Sequence, residues 1–128
     1  MRRIDFTIPI YDWEVSVVTT LGPEDSSALV EVLNSIEAEP CAVEQTRRYL
    51  EQGAKDGGDM WYDTDRKKAF IHLYRWSTEG DFWETINHEK RHLIDRIMQH
   101  HRISDTEAAA YLDGYVSKII FTRLNELR

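Results

Sequence analysis

Apolar positions alternate with polar ones through residues 3–20, in two halves. Ile4, Phe6, Ile8 and Ile10 make the first half; Trp13, Val15 and Val17, with Val18, make the second. Period-two alternation of β-branched and aromatic residues predicts one or two β-strands. Pro9 lies between the halves and cannot donate to a ladder, so it belongs at an edge or a bend. Gly22-Pro23 ends the region. Ala28, Leu29, Val32, Leu33 and Ile36 then recur at helical spacing behind Glu24, Asp25 and Ser26. An amphipathic helix over 24–38 is expected, and a second over 41–53 between Pro40 and Gly53.

Lys55-Asp56-Gly57-Gly58-Asp59 reads as a turn, Met60-Trp61-Tyr62 as a strand, and Asp63 to Arg66 as another turn. Residues 69–76 read as a second strand, which completes a hairpin. Ser77, Thr78 and Asp81 are candidate N-caps for a long helix from about 80 to 100. Ser104-Asp105-Thr106-Glu107 has the spacing of a capping box and should open a last helix over about 104–126. The layout is α+β: a small antiparallel sheet with about four helices covering one face. Trp61, Tyr62, Phe70, Tyr74 and Trp76 are expected in its core.

Composition narrows the functional classes. The chain has 128 residues, the length of a single domain, with a 41% hydrophobic share that can supply a core. Its 16 Lys and Arg against 23 Asp and Glu give a net charge of −7. An acidic surface repels phosphate, so neither nucleic acid nor a membrane surface is an expected partner. The single cysteine, Cys41, allows no internal disulfide and no thiolate metal cluster. Acidic residues from Asp5 onward interrupt any signal-peptide core, and no run is long enough to span a membrane. The expected location is the cytoplasm.

The chemistry concentrates in His88-Glu89-Lys90-Arg91-His92. Residues four apart share a helix face, so two imidazole nitrogens can reach one ion at about 2.0 Å. Glu89 lies about 100° around the helix from His88, beside the ion rather than on it. That is where a general base for a metal-activated water belongs. The expected cofactor is zinc.

The segment Thr85-Ile86-Asn87-His88-Glu89-Lys90-Arg91-His92-Leu93-Ile94 resembles the active-site helix of zincin metallopeptidases. The resemblance implies a zinc-dependent peptidase, with an antiparallel sheet beside the helix in which strand 69–76 would serve. Lys90 and Arg91 depart from the usual uncharged pair and should reach solvent. The metzincin third histidine is missing, since Met98 stands at its position. The gluzincin pattern takes a glutamate from the following helix instead, and there the resemblance implies Glu107 as third ligand to His88 and His92. Asp95, three residues after His92, is the rival, as a ligand or as an orienting partner for an imidazole; Asp105 is a weaker one. His100 and His101 read as charges at a helix C-terminus. His72, Tyr111 and Tyr115 are candidates for steadying an oxyanion, with packing as the plainer role of each.

Two functions follow. The first is a zinc hydrolase, a peptidase, whose peptide substrate could add to strand 69–76 by edge pairing. The second is a non-catalytic binding module with the zincin shape, with or without the metal. A di-iron carboxylate bundle needs a second Glu-x-x-His, which the chain lacks.

Overall fold

The computed structural model describes residues 1–128. Two strands, β1 (Arg2–Ile8) and β2 (Trp13–Thr19), are followed by two helices, α1 (Ser26–Ser35) and α2 (Pro40–Glu51). Next come β3 (Gly58–Asp63) and β4 (Lys68–Leu73), then α3 (Glu79–His100) and α4 (Thr106–Thr122). Short 3-10 turns precede α1 and follow α4. The α+β reading and the predicted elements hold. The sequence overran three elements: strand 69–76 stops at Leu73, and the first and last helices are shorter than expected at both ends.

The sheet itself differs from expectation. Its order is β1-β2-β4-β3, and β2 pairs with β4 in parallel, Val15 opposite Ala69 and Val18 opposite His72. The sheet is therefore mixed rather than purely antiparallel. The chain leaves β2, crosses through α1 and α2, lands on the far edge as β3, and returns by a hairpin as β4. The helices also do not share one face. Val15, Val17, Ala69, Ile71 and Leu73 pack with α3 and α4, while Val18, Phe70 and Tyr74 pack with α1 and α2. The cause is visible in the strands: Val15 to Thr19 and Ala69 to Leu73 are buried without a break. A strand buried on both faces must be central and covered twice.

α3 is anchored at both ends. A capping box closes its start, where the Thr78 hydroxyl accepts from the Asp81 amide and Asp81 accepts from the Thr78 amide. The box predicted at Ser104 is not the one that forms: Asp105 caps α4 by accepting from the Glu107 amide at 2.9 Å. At the other end of α3, His101 accepts from the Trp13 indole at 3.1 Å. Burial, His100 and Lys67 hold the His101 pKa down, so this ring is an acceptor rather than the cation expected of it.

Lys90 is mostly covered rather than open to solvent, its side chain 12% exposed. Its ammonium turns between α3 and α4, donating to Ser117 at 2.7 Å and Asn87 at 3.1 Å and pairing with Asp113 at 3.0 Å. Arg91 behaves as expected, exposed and paired with Asp95. Removing a nearly buried ammonium strands its partners, whereas an exposed ion pair is worth little. Lys90→Met is therefore expected to lose about 1–3 kcal/mol in urea unfolding. Arg91→Met should change stability by less than about 0.5 kcal/mol.

Candidate metal centre

α3 carries the motif along the sheet's open edge. It packs on β3 and β4, with Phe82, Ile86, Leu93 and Ile97 turned to the core. Glu89 and Arg96, two helical turns apart, flank β3. Glu89 lies over Gly58, where a Cβ would stand 3.3 Å from Glu89 Cγ and collide with the His72 carbonyl oxygen. Arg96 lies over the Tyr62 ring at 4.9 Å. Glycine at 58 thus lets the Glu89 stem rest directly on the strand.

The two histidines come together as expected. The Nε2 atoms of His88 and His92 are 3.0 Å apart, one ring donating to the other, and the rings meet edge to face with centroids 4.7 Å apart. Tetrahedral zinc with bonds of about 2.0 Å needs two nitrogens about 3.3 Å apart. The pair is close to that spacing, so as a two-nitrogen donor set it fits such an ion. Both side chains are exposed.

Glu89 between them is buried, 7% exposed. Burial raises its pKa first of all; His88 and His92 pull it back and Asp59 adds to the rise. A carboxyl raised this way holds its proton more firmly than a surface glutamate and suits acid-base work nearer neutrality.

Glu107 is not gathered with the pair. No group of three or more His, Cys, Asp or Glu side chains is arranged to hold a metal ion. The reason is the side of α3 that α4 covers. Asp113 and Ser117 meet α3 at Lys90, which lies about 160° around the helix from both His88 and His92. Glu107 in turn is about 120° around α4 from Asp113 and is exposed. Tyr111 and Tyr115 each sit about 160° from Asp113 and line a groove against the β1–β2 turn, with Ile8, Pro9 and Ile10. Of the other acids, Asp95 is engaged by Arg91 and Asp105 by its cap.

His72 lies on the opposite face of the sheet, fully buried. Its Nε2 is 2.8 Å from the Thr20 hydroxyl, and its ring packs at 4.4 Å on Tyr74. Tyr74 donates to Asp59 at 2.5 Å, while His72 Nδ1 has no hydrogen-bond partner and lies 3.9 Å from that carboxylate. Burial drives the His72 pKa down to about 3. It is a neutral packed imidazole that no substrate on the α3 face can touch. Phe70 and Tyr74 are in the core as expected, but Tyr62 is on the surface beneath Arg96.

Sequence reasoning assigned Gly58 to a turn and Tyr62 to the core, and it did not name Arg96. Only the turn-forming Gly57-Gly58 pair hinted at one of them; which strand α3 lies along is a tertiary fact. Comparison with known protein families, with curated proteins and with solved structures returns no match to this chain.

Two titrations of opposite sign follow. The raised Glu89 pKa means that the folded chain keeps a proton the unfolded chain has lost, so its contribution to stability falls as pH rises through that window. In chelator-treated protein, Glu89→Gln should melt above the wild type at pH 7, with the gap closing below about pH 4. A gap constant across that range would assign the effect to packing. His72 works the other way. Stability it supports is complete above 6.5 and is lost as pH falls toward about 3. His72→Leu should accordingly flatten the acid limb of the stability curve.

Proposed function

We propose that this chain is a zinc-dependent hydrolase acting on peptide bonds, with the metal anchored by His88 and His92 and Glu89 as general base. The observation that carries the reading is the 3.0 Å approach of the two Nε2 atoms, one helical turn apart, beside a carboxyl of raised pKa. When bound, zinc supplies a Lewis acid that makes water a nucleophile near neutral pH. The rest is work for the chain's own groups. The imidazoles orient the ion. The Glu89 carboxylate takes a proton from the attacking water and returns it to the departing amine. Its stem on Gly58 holds that carboxylate beside the pair.

A peptide substrate would run along β3. The edge-pairing role expected of strand 69–76 passes to this neighbour, because β4 is closed on both sides by β2 and β3. β3 is an outer strand and α3 lies along it.

The third ligand proposed from the zincin resemblance is Glu107. Glu107 is exposed and no three-donor group is formed, so the reading rests on the imidazoles. A separate observation favours the second function, a binding module without turnover: only two donors are gathered.

Metal analysis separates these. The wild type is expected to hold one zinc per chain and His92→Ala to lose it; equal zinc in the two ends the metal reading. Glu107→Ala should lower zinc occupancy, and an unchanged value removes Glu107 from the ligand set. Glu89→Gln should keep the metal and lose at least about a hundredfold in peptide hydrolysis. Zinc retained by a wild type that cleaves no peptide selects the binding module.

A further inference from the structure

Three cations stand on α3 within two turns of the imidazole pair: Lys90, Arg91 and Arg96. Two are spent. Lys90 is held by Asp113 on the far side of the helix, and Arg91 is paired with Asp95 at 3.1 Å. Arg96 is the exception. Its guanidinium lies over the Tyr62 ring at 4.9 Å and donates to Gln99 Oε1 at 3.1 Å, with no carboxylate in ion-pair contact. Arg2, Arg48, Arg75 and Arg102 are also exposed and make no ion pair, so what singles out Arg96 is its position beside the imidazole pair.

Arg96 is one turn beyond His92, about 6 Å along the axis and about 40° around it. It is two turns beyond Glu89, nearly in line with it. Glu89, His92 and Arg96 therefore form a row on the flank of α3 that runs along β3, from Gly58 to Tyr62. An extended peptide advances about 3.3 Å per residue, so about 6 Å is two residues. The guanidinium rests against the Tyr62 ring with one nitrogen engaged by Gln99, and its remaining N–H groups can bind a carboxylate.

We propose that Arg96 is a specificity-determining residue that binds a carboxylate of a peptide lying along β3, about two residues from the point opposite His88 and His92. The substrate class is an acidic peptide. Its carboxylate is either an Asp or Glu side chain or the chain's own C-terminus. This rests on the metal reading above for the position of cleavage, but not for binding.

The test uses the full chain, with and without zinc, and three fluorescently labelled six-residue alanine peptides. One has a single internal Glu and an amidated end. The second has Gln there and a free C-terminus. The third has Gln and an amidated end. Fluorescence anisotropy should show the wild type binding one of the two carboxylate peptides at least about tenfold more tightly than the uncharged one. Which of the two binds identifies the source of the carboxylate. Arg96→Gln should abolish the difference and Arg96→Lys should restore part of it, as both replace an exposed side chain. Equal binding of all three peptides by the wild type, or a difference that survives in Arg96→Gln, overturns the proposal. Zinc content of the same preparations reports separately on the imidazole pair. Arg96-dependent discrimination in protein that takes up no zinc even when zinc is supplied would sink the metal reading and leave this one standing.

Discussion

The seating of α3 on the hairpin of β3 and β4 is the constraint on which everything else depends. Its apolar stripe of Phe82, Ile86, Leu93 and Ile97 is fully or almost fully buried against Ile71, Leu73 and their neighbours. Burial on this scale fixes the helix's rotation, because turning it by one residue would expose that stripe and bury charge. Rotation then determines what each motif residue can do. Glu89 falls at the border of the core, against the bare backbone of Gly58. The imidazoles fall one step further out, in water. A carboxyl half in the core with two ring nitrogens above it follows from the core's demands on α3, with no loop geometry required.

The same rotation determines what α4 can contribute. Lys90 falls on the side opposite the imidazoles and is the polar group across which α4 docks. Its bonds to Asp113 and Ser117 tie that helix to the back of α3. The two flanks of α3 thereby acquire separate jobs. One is a structural seam between helices. The other, along β3, keeps the buried Glu89 carboxyl in a row with an exposed imidazole and an exposed guanidinium. Lys90 is thus the residue that organises the helix pair.

Element positions were legible in the sequence because periodicity is local: the alternation of residues 3–20 and the i, i+3, i+4 spacing of Leu29, Val32 and Leu33 each answer to a single element. The meeting of His88 and His92 was legible for the same reason, being a property of one helix. The parallel pairing of β2 with β4 was not, although the uninterrupted burial of Val15 to Thr19 and Ala69 to Leu73 has a trace in the sequence. Val17-Val18 and Phe70-Ile71 are adjacent apolar pairs, which a strand with one wet face does not need. Contacts between elements escaped altogether. Lys90 looks like any helical lysine until Asp113 is opposite it. His72 looks like any strand histidine until Thr20 closes on its ring. The outward turn of Glu107 depends on how α4 is rotated, and its own sequence of small residues leaves that weakly determined.

The crossover that places β4 between β2 and β3 also bears on how the chain reaches this state. The hairpin of β3 and β4 and the pair α3–α4 are each built from near neighbours and can form with little loss of chain entropy. The union of β2 with β4 cannot. The hydrogen bond between Thr20 and His72 joins residues 52 positions apart. Until that long loop closes, the hairpin's second strand presents an unpaired apolar edge to solvent. Non-local pairing of this kind slows folding, and the exposed edge is where the nascent chain is most open to self-association.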